Sequence, residues 1–149
     1  MPLQDQVMTK MKDAMRAKDS VALSSLRAIK SALLLAQTAA SGTVLSAEEE
    51  IKLVQKLVKQ RQDSAAIYKE QGREDLAAPE LAEVAVLAQF LPEQLSEEEV
   101  KEAVAQIIAS SGASGMGDMG KVMGLASKEL AGKADGKTIS SIVKVLLTA

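Results

Sequence analysis

The sequence predicts an all-α protein of two packed helical subdomains with no sheet, and three observations carry that prediction. Its 149 residues are rich in Ala, Leu, Glu, Lys, Gln and Met, the residues that lose least on entering a helix. Apolar positions recur at helical spacing between recognisable start and stop signals. No alternating Val/Ile/Thr run flanked by turn residues appears anywhere, so no strand is expected.

The elements follow in order. From Leu3 to Lys18, a first helix places Leu3, Val7, Met11, Ala14 and Met15 on one stripe. Asp19 or Ser20 caps a second helix that runs to about Ala39, and Ser41-Gly42-Thr43 breaks it. Ser46 with Glu49 forms a capping box, and Glu48 to Glu50 put negative charge on the first turn, where the helix dipole favours it. That third helix extends from about Ala47 to Gln71 and stops at Gly72. Pro79 suits the first turn of a fourth helix reaching Gln89, which Leu91-Pro92 ends. Ser96 and Glu99 make a second capping box for a helix to about Ser110. A flexible break, SSGASGMG, precedes two short helices at about Asp118–Ala131 and Thr138–Leu147, joined through GKADG. A boundary at FLPEQLS divides the chain into an N-terminal subdomain, residues 1–90, and a C-terminal one, residues 91–149.

Composition removes many functions. There is no Cys, His or Trp, one Phe (Phe90) and one Tyr (Tyr68). Disulfides, Cys/His zinc sites, a histidine base, a cysteine nucleophile and a Ser-His-Asp triad are all excluded. Reading single strands by stacking bases on aromatics is excluded almost as firmly. No stretch resembles a secretory signal and none is apolar for long enough to span a membrane. The expectation is a cytoplasmic chain with no membrane, metal or cofactor partner.

The net charge of −2 is unevenly spread: residues 1–73 hold 12 basic against 8 acidic residues, residues 74–102 hold 1 against 9, and residues 103–149 hold 5 against 3. Within the third helix, Lys52, Lys56 and Lys59 form a narrow basic stripe, and Glu48 stands four residues before Lys52 as a favourable pair. Val54, Leu57, Val58, Ala65 and Tyr68 make the buried face, and Arg61 falls in the middle of it. Pairing with a carboxylate of the next helix, Glu80 or Glu83, is the expected reason. A guanidinium kept for a phosphate or a partner carboxylate is the alternative.

Two glycine patterns are decoys. Gly115-Met-Gly117-Asp-Met-Gly120 has the letters of a dinucleotide fingerprint, and Gly115 to Lys121 nearly spells a phosphate-binding loop, but neither follows a strand. The expected role of these glycines is turning the chain, with Asp118 capping a helix whose Met119, Val122 and Met123 face the core. A phosphate oxygen at the helix start near Asp118–Lys121 is the weaker functional idea. The Glu48–Glu50 and Glu97–Glu99 runs are helix starts before they are acid–base pairs, so no catalytic residue is assigned.

The combined order SLRAIKSA, KQRQDS, QGREDLA, FLPEQLSEEEV, GASGMGDMGKVMG and GKADGKTISSIVK resembles the free-standing YqeY-like proteins of the GatB/YqeY family, over essentially the whole chain. The same module resembles the tail of the B subunit of glutamyl/aspartyl-tRNA amidotransferase. The resemblance implies an all-helical fold in two parts. It also implies a role at tRNA, since that tail helps hold the tRNA while amide transfer and glutamine hydrolysis occur elsewhere in the enzyme. The family pattern fits Arg27, Arg61, Asp63, Gly72, Arg73, Asp75 and Leu76 in the first part. In the second it fits Asp118 to Lys121, Met123, Asp135 to Lys137 and Lys144. Lys133 stands where an arginine is common and Gly117 where a lysine is common, departures that weaken an RNA site there.

The leading functional expectation is therefore a non-catalytic tRNA-binding accessory module. Lys121, Lys128, Lys133, Lys137 and Lys144 would form its phosphate-contacting face, and Arg27, Arg61, Arg73 and Asp75 would be structural or partner-facing. The second is a protein-interaction module docking an aminoacyl-tRNA synthetase, an amidotransferase or a second copy through Met8, Met11 and Met15 or the final helix. Core packing is the plainer role for those methionines. Carbon–nitrogen ligase activity with glutamine as amido donor ranks third, and only within a larger complex.

Overall fold

The computed structural model describes residues 2–39, 42 and 44–149. Those residues form seven α-helices and one short 3₁₀ turn, with no strand among them: α1 Leu3–Ala17, α2 Ser20–Ala39, α3 Ala47–Glu70, α4 Glu74–Ala88, α5 Glu97–Ser111, α6 Met119–Glu129 and α7 Gly136–Thr148. The all-α reading is correct. The chain divides into two compact units, Met1–Leu91 and Pro92–Ala149.

In the first unit, α2 packs against α1 and α4, and α3 packs along α4. The core gathers Leu3, Val7, Ala14, Leu26, Ile29, Leu33, Val54 and Leu87. Because α1 meets essentially one neighbour, a narrow stripe suffices. Met11 is half-buried, whereas Met8 and Met15 are 40% and 53% exposed, so core packing does not account for the pair. The Asp19 side chain accepts from Ala22 N at 3.0 Å and starts α2. At the far end of α2, Gly42 N donates to Gln37 O at 2.7 Å with Gly42 in the left-handed region (φ +81°). Its expected companions in the break, Ser41 and Thr43, lie outside the described residues.

The capping box of α3 is complete: Ser46 Oγ accepts from Glu49 N at 3.1 Å, and the Glu49 carboxylate accepts from Ser46 N at 3.0 Å. The neighbouring Glu50 reaches across to α1, where its Oε2 accepts from Leu3 N at 3.0 Å. This places a carboxylate on the positive end of that helix. On the buried side of α3, Val54 and Ala65 are enclosed, while Leu57, Val58 and Tyr68 are half-buried.

The fourth helix differs from expectation. It opens at Glu74, and Pro79 lies inside it rather than at its first turn. Arg73 O accepts from Leu76 N at 3.1 Å and from Ala77 N at 3.0 Å, and Glu74 and Asp75 supply the acidic first turn. Pro79 has no N–H to return to Asp75 O. Both residues are exposed, so water can take that carbonyl.

In the second unit, α5, α6 and α7 pack against one another around Val100, Val104, Ile107, Val122, Ala126, Leu130, Ile139, Ile142, Val143 and Leu147. The 92–96 segment is tied to the α6–α7 turn: Leu95 N donates to Lys133 O at 2.9 Å and Gln94 Nε2 to Gly132 O at 2.6 Å. Two local readings are corrected here. Met116–Asp118 is a 3₁₀ turn, and the Asp118 carboxylate makes no cap on α6. It accepts from Ser114 N at 2.8 Å instead, tying down the glycine loop. Asp135, not a residue nearer Thr138, opens α7, its Oδ1 accepting from Lys137 N at 3.4 Å.

The capping box of α5 repeats that of α3, with Ser96 Oγ accepting from Glu99 N at 3.2 Å and Ser96 N donating to Glu99 Oε1 at 3.0 Å. These bonds, first the one from the Ser96 backbone, hold the Glu99 carboxyl below the usual glutamate range. A lowered native pKa favours folding above the unfolded-state value, and that contribution is lost as pH falls through the folded value. Glu99→Gln, which keeps the box but not the charge, is expected to remove this part of the acid-limb slope in a pH series of urea melts. Ser96→Ala is expected to lower stability by about 1 kcal/mol at neutral pH.

Candidate nucleic-acid interface

The expected phosphate-contacting lysines all belong to the second unit. Lys121 and Lys128 are seven residues apart on α6, and Lys137 and Lys144 are seven apart on α7, so each pair lies along one face of its helix. Val122 and Ala126 turn inward on α6, as do Ile139, Ile142, Val143 and Leu147 on α7. By the helical period the lysine pairs fall opposite these buried stripes, and all four are exposed. Lys133 is exposed in the turn between the two helices, where its backbone carbonyl carries the bond from Leu95.

Among the described residues, none of the five lysines enters an ion pair. Lys121 is partly committed: its Nζ donates to Ser111 O at 3.2 Å, satisfying a carbonyl at the negative end of α5. The charge of this unit is divided along the chain. Residues 119–149 hold five lysines against Glu129 and Asp135, whereas residues 92–118 hold Lys101 against six carboxylates.

Two glycines beside the lysines were not singled out by sequence reasoning as outward-facing. Gly120 and Gly124 lie within α6, and a Cβ built on either meets nothing within 4 Å. Internal packing therefore gives no reason for glycine at these positions, although at Gly124, in the helix interior, glycine costs about 1 kcal/mol relative to alanine. Their spacing of four places them on the exposed face that carries Lys121 and Lys128.

The remaining candidates lie in the first unit. Arg61 pairs as expected with the next helix: its Nε donates to Glu83 Oε2 at 3.0 Å, and Nη1 donates to Leu57 O at 3.3 Å. Ser24 Oγ donates to the other oxygen, Glu83 Oε1, at 3.1 Å. Ser24 is a partner that sequence separation alone could not reveal. Arg73 and Asp75 form a bidentate pair at the start of α4, at 3.0 and 2.9 Å. Each holds the other ionised, the guanidinium pushed up and the carboxyl pushed down, chiefly through that hydrogen bond. Arg27 is exposed on α2. Lys59 pairs with Asp63 at 3.6 Å, whereas Glu48 and Lys52 form no ion pair. Among the described residues no three carboxylates gather as a metal cage.

The Arg61 and Glu83 side chains are 18% and 23% exposed. Removing one partner leaves the other poorly solvated, a loss reduced by the water that still reaches the pair. Arg61→Ala is expected to lower stability by about 1–3 kcal/mol, and a cycle with Glu83→Ala to give a coupling of about 1 kcal/mol in urea unfolding. A guanidinium reserved for phosphate would instead leave stability unchanged and weaken RNA binding.

The family model for Yqey-like proteins matches residues 4–147. No curated protein matches the chain. With seven α-helices among the described residues and a family match over nearly its whole length, the chain belongs to the Yqey-like protein family.

Proposed function

We propose that this protein is a tRNA-binding accessory module with no chemistry of its own, using the outward faces of α6 and α7. The observation that carries the reading is the placement of Lys121 with Lys128 and Lys137 with Lys144 on exposed faces without carboxylate partners. Unpaired ammonium groups on rigid helices attract a phosphate backbone by charge, and each contact releases condensed counterions. Such contacts fix position rather than read bases, which suits recognition of a folded RNA by shape. The bare backbone at Gly120 and Gly124 supports the same reading, because it would let a sugar–phosphate strand approach α6 closely. Any amide-transfer activity of the kind suggested by the amidotransferase resemblance would have to be supplied by a partner, tRNA being this chain's share.

Fluorescence anisotropy of labelled tRNA, titrated from about 50 to about 300 mM salt, tests the proposal. Micromolar binding at low salt is expected, with log K falling by about 0.7–0.9 per phosphate neutralised for each decade of salt. Lys137→Glu/Lys144→Glu should weaken binding about tenfold or more without unfolding the chain. Gly124→Ala should raise stability by about 1 kcal/mol while reducing affinity. Affinity that is unchanged in the double-lysine variant, or no binding at low salt, would overturn the reading.

A further inference from the structure

The first unit has an open groove of about 560 Å³ between α2 and α3. Its apolar lining includes Leu35, Leu45, Leu53 and Leu57, and Lys52 and Lys56 stand along its α3 side. Leu35 is 73% exposed, although Leu53 and Leu57 beneath it are anchored in the core cluster. On the α2 side the other lining residues are Ala32 and Ala36, so Leu35 is the one long side chain among the lining residues of that wall. Neither lysine has an ion-pair partner among the described residues. Glu49, also on the rim, keeps its charge while its carboxylate accepts the Ser46 N–H of the α3 cap, so the two lysines outnumber it there without pairing to it.

We propose that this groove binds an amphipathic helix from a partner protein, with apolar residues facing α2 and α3 and carboxylates flanking them. The dimensions suit a helix: the α3 wall runs from Glu49 to Gln60, about 16 Å at the helical rise, or three turns of a partner. Three turns present apolar anchors at i, i+3 or i+4, and i+7, the pattern by which helices fill hydrophobic grooves. Charge selects the occupant. Lys52 and Lys56 favour acidic flanks, whereas a two-fold pair of this chain joined through the same groove would bring its own lysines together. This inference goes beyond the RNA reading and stands on different residues, so either can fail alone.

The probe is a fluorescein-labelled synthetic helix of about 18 residues with leucines at those spacings and glutamates on both flanks. A matched peptide carries lysine in place of glutamate. Binding is read by anisotropy, with methyl NMR of Leu35, Leu53 and Leu57 on the full chain to locate it. The acidic peptide should bind about tenfold or more tightly than the basic one and shift the three leucines. Lys52→Glu/Lys56→Glu should reverse that preference, and Leu35→Asp, at an exposed position, should abolish binding of both while leaving the tRNA titration unchanged. Three results would overturn the proposal: neither peptide shifting the groove methyls, charge reversal leaving the preference intact, or those methyls responding to tRNA or to protein concentration but not to the acidic peptide.

Discussion

Glu83 is the point on which the first unit turns. One carboxylate oxygen takes the Arg61 guanidinium of α3 and the other takes the Ser24 hydroxyl of α2, so a single side chain on α4 fixes three helices. Aliphatic packing specifies spacing well but sliding poorly, because one leucine surface resembles another. An oriented charge-assisted bond adds the missing register, at a desolvation cost that Arg61 and Glu83 limit by keeping partial contact with water. The Arg61 bond to Leu57 O uses a further guanidinium donor on α3 itself.

The same arrangement explains where the open surface lies. Ser24 and Arg61 hold the early part of α2 and the later part of α3 to Glu83. The groove is lined by the later part of α2, residues 32–36, and the earlier part of α3, residues 49–60. Contacts of α2 with α4 and of α3 with α4 outweigh those between α2 and α3. The two helices are thus held mainly through a third, which leaves Leu35 with little to cover it.

The helix starts of α3 and α5 were legible in the sequence because both capping partners stand within one turn. The boxes at Ser46/Glu49 and Ser96/Glu99 are readable because side chain and backbone meet three residues apart. Arg61 was readable for a different reason: a charge on an apolar face demands a partner, and the next helix offered few. The start of α4 was not, because Pro79 is tolerated as an exposed interior residue once Arg73 and the acidic pair after it have opened the helix. Asp118 was misread because an aspartate before a helix can cap forward or tie backward, and the choice depends on the loop's path to Ser114. Glu50 on Leu3 and Ser24 on Glu83 span 47 and 59 residues, separations at which no spacing rule operates. For the candidate RNA face, helical period placed each lysine pair on one side of its own helix.

The second unit has reason to be sparing with stability, yet it carries Gly120 and Gly124 within an eleven-residue helix. Alanine at Gly124, in the interior of the helix, would favour it by about 1 kcal/mol in propensity, whereas Gly120 stands in its first turn. The usual justifications for glycine are missing: a Cβ at either position meets open space, and neither residue has a positive φ. Close approach from outside remains a physical use for the missing side chain, and these two positions lie beside Lys121 and Lys128 on the exposed side of α6. On the proposed RNA reading, the bare backbone at these positions would leave room for a phosphate strand beside the two ammonium groups.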